Sequence, residues 1–334
     1  MKKLNKKELE LISMATLRKT GEIGLKHAKL NSAYIKQTIR DIGPVPPKPA
    51  LVISAGPSLH SRRSLKAIKE SNFKGHIVAV DGTLGHCLRN GIVPDYVITV
   101  DPHPHRIIRW FGDTHLSKRP DDDYFRRQDL DPALNKDEIE RNDEMIRLVN
   151  LHGPGIKVII STSVSPEITR RCLEAGMQLY WWNPLYDDFD DPGSYSRKIH
   201  KITKTPCMVT GGNCGTSAWV FSHAVLASPE VVVVGMDLSY PPGTTVDKTQ
   251  YYDVLKELFP GEPERGLIKV HNPHLKQSCF TDPAYYWYTQ SFLEMAKVAN
   301  CRTYNCTEGG ILFGKGVIFS GLSEVLNMFA KRKS

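Results

Sequence analysis

The sequence predicts an α/β fold, doubly wound around a mostly parallel sheet, with an N-terminal helical extension. Short runs rich in β-branched and aromatic residues recur between positions 50 and 235. Stretches of helical length separate them, giving the βαβα order of a sheet with right-handed crossovers. Most of the runs also lack polar alternation, as strands buried on both faces of a parallel sheet do.

Taken in order, residues 1 to about 42 have helix-forming composition and end at the semi-rigid Pro44-Val-Pro-Pro-Lys-Pro49. The expected strands are Ala50-Leu-Val-Ile-Ser54, His76-Ile-Val-Ala-Val80, Tyr96-Val-Ile-Thr-Val100, Lys157-Val-Ile-Ile-Ser161, Gln178-Leu-Tyr-Trp-Trp182 and Val231-Val-Val-Val-Gly235. Helices are expected at about 59–71, 83–90, 165–175 and 215–227. The chain therefore divides into a helical extension and Pro-rich linker, 1–48, and a Rossmann-like domain, 49–334. Two stretches interrupt the alternation. A polar insertion at about 103–150 holds 17 charged side chains between 117 and 147, and reads as either a solvated excursion or a docking surface. A segment rich in Pro, Gly, Tyr and His, about 239–282, reads as a lid or binding loop.

Composition narrows the function classes. The 334 residues suffice for a sizeable core, and 40% hydrophobic with 24% charged residues is a globular composition. No apolar run approaches the roughly 20 residues that cross a bilayer, so no transmembrane segment is expected. The charged start lacks the apolar core of a secretory leader, and seven scattered cysteines without a CxxC pair read as reduced thiols. A cytoplasmic location is expected, and a homo-oligomer is compatible with the sequence. Forty-four basic against 36 acidic residues give a net charge of +8, which favours anionic small molecules such as nucleotides. Seven of those positive charges sit at the two chain ends, and no nucleic-acid motif is present, so nucleic acid is not an expected partner.

Candidate chemistry gathers at strand ends, where ligands of such sheets bind. The first strand enters Ser54-Ala-Gly-Pro-Ser-Leu59, in which Gly56 allows close backbone approach, Pro57 suits a first helical turn and Ser58 can cap the helix or bond an anion. It is neither a Walker A loop nor a GxGxxG fingerprint. A second glycine turn, Thr210-Gly-Gly-Asn-Cys-Gly-Thr-Ser217, combines Gly211, Gly212 and Gly215 with Asn213, Thr216 and Ser217, and brings backbone donors and short hydroxyls near a ligand at the start of another helix. Tight packing also asks for glycine at either place. Three strands end in acids, Asp81, Asp101 and Asp237, which suit a ribose, an acceptor hydroxyl, Mg²⁺ or simple helix capping. His103 and His105 beside Asp101 lack a third ligand at a metal spacing. In the lid, His271 and His274 are candidate general bases, with surface loop histidine as the plain alternative. The cluster Tyr285-Tyr-Trp-Tyr288 has helical spacing and reads as core before sugar platform.

Read together, seven segments resemble the DUF115 group of motility accessory factor glycosyltransferases and 6-hydroxymethylpterin diphosphokinase-like proteins. They are Ser54 to Leu59, Ala79 to Thr83, Gly91 to Asp95, Thr99 to Pro102, Gly211 to Asn213, Gly235 to Tyr240 and Glu308 to Gly310. The group is similar to family 42 sialyltransferases, which use CMP-sialic acid without a required metal. That resemblance implies an inverting glycosyltransferase that moves a nonulosonic acid of sialic, pseudaminic or legionaminic type from a CMP-sugar to a hydroxyl on flagellin, another surface protein or a glycan. It implies nucleotide contacts at Gly56, Pro57, Ser58, Asp81, Asp101, Gly211, Gly212, Asn213 and Tyr240. The catalytic base would be His274, which precedes Thr281-Asp282, or His271, with Asp237 alongside. No cofactor would be required. Where the sialyltransferases carry asparagines, this chain has Ala55, Asp81 and Asp101. The alternative implied by the same group is a Mg²⁺/ATP diphosphokinase acting on a pterin alcohol, with Asp81 and Asp101 on the metal. A non-catalytic nucleotide-binding assembly protein is the second alternative.

Overall fold

The computed structural model describes residues 20–103, 105–116 and 138–332. Residues 1–19 of the extension and 117–137 of the charged insertion lie outside the described residues. The centre of the fold is a nine-stranded sheet in the order β11-β10-β7-β1-β2-β3-β4-β5-β6, with every neighbouring pair parallel. Six of its strands are the expected ones: β1 Ala50–Ile53, β2 His76–Val80, β3 Tyr96–Thr99, β4 Lys157–Ser161, β5 Gln178–Leu185 and β7 Glu230–Val234. The other three are runs of three or four residues: β6 Cys207–Val209 and β11 Val317–Phe319 form the two edges, and β10 Arg302–Asn305 lies between β11 and β7. Runs that short carry no periodicity to read. A separate antiparallel hairpin pairs β8 Ile268–Asn272 with β9 Gln277–Thr281, so the expected lid has a framework of its own.

Alternate residues of each strand face opposite sides, and both sides are apolar. Val52, Val78, Ile98, Ile159 and Val233 point into one core with Trp219, Phe221 and Phe292 from the helices Cys214–Ala224 and Pro283–Val298. Leu51, Ile53, Ala79 and Val232 face the other side, against Ser64–Ser71 and Leu322–Lys331. Farther along that side, Val158, Ile160 and Leu179 meet the helices Glu138–His152 and Pro166–Glu174. The expected helix 59–71 is broken into Ser58–Ser61 and Ser64–Ser71 by Arg63, which adopts a left-handed φ of 54°.

Chain order defines where a ligand would sit. Strands β1 to β6 step outward in one direction, and the chain then returns to place β7 on the other side of β1, followed by β10 and β11. The β1/β7 junction is thus the topological switch point, and its crevice lies beyond the carboxyl ends of those two strands.

The helix over 20–31 packs across the end of β4. His27 Nδ1 lies 3.0 Å from the Ser163 carbonyl, and Asn31, fully buried, donates to the carbonyls of Thr162 (2.9 Å) and Val164 (2.8 Å) while accepting from Thr169 Oγ1 (2.9 Å). Removing one side chain therefore strands three buried polar groups. Asn31→Ala should lower unfolding stability by about 1–3 kcal/mol or more, read as a fall in the urea midpoint. A midpoint within error of wild type would show that the helix adds nothing to the sheet.

Candidate functional site

The site begins where β1 and β7 end. Past β1, the Gly56 amide donates to the Gly235 carbonyl at 2.7 Å, which draws the Gly-Pro-Ser turn against the strand beside it. A side chain at Gly56 would collide with that carbonyl and with the Asp237 carboxylate, so the close approach requires glycine. Asp237, 5% exposed, accepts from the Ser58 amide (3.2 Å) and the Ser58 hydroxyl (2.6 Å) through one oxygen. Leu59 donates to the Gly56 carbonyl at 3.1 Å. Pro57 has no N–H. The donors that an anion would need at this turn are thus already engaged inside the protein, with Asp237 in the place of the anion. Burial pushes the Asp237 carboxyl up to about 6, against the opposing effect of its Ser58 hydrogen bonds.

The loop after β10 closes on the same point. Thr307 Oγ1 accepts from the Met236 amide (3.1 Å), Ile311 donates to the Asp237 carbonyl (2.9 Å), and the Glu308 carbonyl accepts from Arg62 Nε (3.0 Å). Glu308-Gly309-Gly310 therefore pins the two strand-end turns together.

The second glycine turn is open. Asn213 caps the helix Cys214–Ala224 by accepting from the Thr216 amide at 2.9 Å, and Thr210 Oγ1 accepts from Gly212 at 3.1 Å. The amides of Cys214 and Gly215 have no acceptor among the described residues. Opposite them stands Ser54, 6% exposed, whose hydroxyl is buried without a hydrogen-bond partner. A Cβ built on Gly215 would come within 2.6 Å of Ser54 Oγ, so the helix start and the end of β1 face one another directly. Two helix-terminal N–H groups and an orphaned hydroxyl, at the positive end of an 11-residue helix, suit a phosphate oxygen.

Alongside lies Asp81, after β2. One oxygen accepts from the Gly82 amide (2.7 Å), and Cys214 Sγ approaches the other at 3.7 Å. Burial, with the neighbouring Asp101 charge adding to it, raises the Asp81 carboxyl to about 6. Asp101 accepts from the His103 amide at 2.8 Å and forms an ion pair with the buried Arg106. His103 Nδ1 accepts from the Arg106 amide at 3.1 Å, so this Asp/His cluster is engaged in its own turn. Among the described residues, no group of three His, Cys, Asp or Glu is placed to hold a metal ion.

The remaining candidates belong to the segment 239–282, the expected lid. The Tyr240 hydroxyl is buried between Asp282, to which it donates, and the Gln250 amide, from which it accepts at 3.0 Å, so it ties the lid to the helix Pro283–Val298. Asp282 is itself raised to about 6 by burial. His271 is exposed within β8. His274 is exposed at the hairpin turn, its ring stacked on Phe319 at 4.6 Å between centroids. Asn272 links that turn to the centre, accepting from the His274 amide (2.9 Å) and donating to the Gly310 carbonyl (2.8 Å). The structure therefore gathers Gly56, Ser58 and Asp237 at one point and Asn213 with Asp81 beside it. His274 is linked toward them by hydrogen bonds through Asn272 and Gly310 and by its ring contacts with Phe313 and Phe319. Ser54 and Thr307 were not singled out from the sequence, and Gly215 entered only as one of the three glycines of its turn.

Residues 26–114 match the family model of 6-hydroxymethylpterin diphosphokinase MptE-like proteins. Over that span the chain resembles the MptE-like family. The matched span holds Ser54, Gly56, Ser58, Asp81 and Asp101, and the glycine turn at 211–213 and Asp237 lie beyond it. The solved structure of the MAf glycosyltransferase from Magnetospirillum magneticum AMB-1 is similar, with a TM-score of 0.50 and 15% sequence identity. The alignment covers 86% of this chain and 37% of that one, so this chain spans well under half of that protein's length. At that identity the likeness shows the fold. No curated protein matches the chain. The family match points to the group suggested by the seven sequence segments, and the structural likeness agrees with the expected α/β fold.

Because burial holds the folded Asp237 carboxyl at about 6, above its ordinary 3.8, its proton contributes stability fully below about pH 4. That contribution is lost as pH rises through 6. An amide oxygen can accept both Ser58 bonds without a charge. Asp237→Asn should therefore gain stability relative to wild type between pH 4 and 7, by about 2 kcal/mol. The check is the difference in urea midpoints at the two pH values; a pH-independent difference would show that Asp237 does not titrate there.

Proposed function

We propose that the chain is a transferase of a nucleotide-activated group, and specifically a glycosyltransferase that takes a nonulosonic acid from a CMP-sugar. The observation that carries the reading is the pair of open amides at Cys214 and Gly215 facing the orphaned Ser54 hydroxyl at the switch point. The nucleotide phosphate would sit there, on the open turn, while the Gly56-Pro57-Ser58 turn shapes the adjacent wall. As the bond between the sugar and the CMP oxygen breaks, negative charge grows on phosphate, where the helix N-terminus stabilises it. The acceptor oxygen forms the new bond to the sugar carbon from the opposite side, inverting it. Its proton passes to a general base. His274 fits that role: stacking on Phe319 holds the ring plane and leaves the ring edge accessible, and the hairpin joins it to Gly310. No resident cofactor is required, and the acceptor would be a protein or glycan hydroxyl.

One observation favours a second reading. Asp81 and Asp101 end adjacent strands close enough to influence each other, and both lie in the span matched by the diphosphokinase-like family. In a Mg²⁺-dependent pyrophosphate transfer from ATP they would hold the ion. The Arg106 guanidinium already pairs with Asp101 and competes for that place, which disfavours this reading.

A thermal-shift comparison of CMP, CDP, UDP, GDP and ATP, with and without Mg²⁺, separates the readings. Stabilisation by CMP without metal is expected, about 2.7 kcal/mol at a hundredfold excess over Kd. Stabilisation confined to ATP with Mg²⁺, with AMP released on turnover, would replace the first reading with the second. Gly215→Ala would push a methyl group against Ser54 Oγ and Met236, and should abolish the CMP shift. His274→Ala should slow transfer by about 10²–10⁴ and leave CMP affinity within a few-fold. Unchanged turnover would remove His274 from the mechanism.

A further inference from the structure

We infer that Trp287 is the stacking platform for the nucleobase of the nucleotide whose phosphate occupies the helix start at Cys214, an inference that rests on the transferase reading. The aromatic run Tyr285 to Tyr288 divides in the structure. Tyr288 is buried, and Tyr285 packs between Tyr240 and Tyr288 at centroid distances of 5.4 and 6.1 Å. Trp287, by contrast, leaves 42% of its surface to solvent, although Trp181, Trp182 and Trp219 are wholly buried. An indole held partly in water gives up the burial that normally places it.

Two features fix where this surface lies. Asp282 caps the helix by accepting from the Tyr285 amide at 2.8 Å, and the Tyr288 ring meets Trp287 edge-on at 5.6 Å, so the indole has a rigid base. A Cβ on Gly212 would come within 2.8 Å of Trp287 Cζ3, which sets the indole edge against the open glycine turn. Gly212 precedes Gly215 by three residues, at most about 11 Å of chain. One nucleotide spans a separation of that size between its phosphate and its base. Every nucleobase has a π-face, so such a platform supplies affinity without choosing the base.

The test titrates the full-length chain and its variants with CMP, and with inorganic pyrophosphate as a probe that lacks a base. Trp287→Ala should weaken CMP about 5- to 150-fold and leave pyrophosphate affinity and thermal midpoint unchanged. Trp287→Phe should recover most of the CMP affinity. CMP should quench the fluorescence of wild type, and Trp287→Phe should abolish that quench. If Gly215→Ala loses CMP binding while Trp287→Ala keeps it, this inference falls and the phosphate site stands. Equal loss of CMP and pyrophosphate in Trp287→Ala, or an effect confined to the acceptor KM, also overturns it. Failure of wild type to bind any nucleotide overturns the transferase reading as well.

Discussion

The buried carboxylate of Asp237 holds the carboxyl edge of the sheet in its working shape. It accepts the amide and hydroxyl of Ser58, 179 residues earlier in the chain, across the point where the strand order reverses. Without that contact the Gly-Pro-Ser turn would have an unsatisfied helix start, and the ends of β1 and β7 would be held by the Gly56–Gly235 hydrogen bond and the Glu308–Gly310 loop. The arrangement is asymmetric in charge. A buried acid raised to about 6 is costly to keep ionised, and the Ser58 donors and the more distant Arg62 charge offset only part of that cost.

One consequence is that the two glycine turns, alike in composition, differ in chemistry. The first is closed by a carboxylate from its own chain and so acts as scaffold. The second keeps helix-terminal amides open toward Ser54 and so can receive an anion. A like-charged neighbour is close at hand, since Asp81 lies beside Cys214. Its raised proton affinity would lessen repulsion of an anion there, because a part of the population is uncharged near pH 6.

The segment 239–282, expected from the sequence to be a lid, is built around the same edge. Its hairpin reaches Gly310 through Asn272, and its start is tied to the helix Pro283–Val298 through Tyr240 and Asp282. Aromatic rings and buried hydrogen bonds thus join the lid to both turns. A movement of the hairpin would carry His274 with it. Among the described residues no helix is long and apolar enough to cross a membrane.

The sequence by itself determined the parallel core. Strands β1, β2, β3, β4, β5 and β7 each carry a short apolar or aromatic run without polar alternation, because burial on both faces leaves little room for a polar side chain, and that property is local. Short strands such as Arg302–Asn305 and Cys207–Val209 were not legible, since their stability comes from neighbours already formed. The site was legible to the same extent. Gly56, Asp81, Asp101, Asn213 and Asp237 stand out as residues at strand ends, where backbone geometry and ligands make their demands. Only the tertiary structure decided which amides are satisfied, which hydroxyl is stranded and which aromatic ring meets solvent. Those outcomes depend on contacts such as Asp237 with Ser58 and Gly212 with Trp287, between residues far apart in the chain, and no local pattern of side chains encodes them.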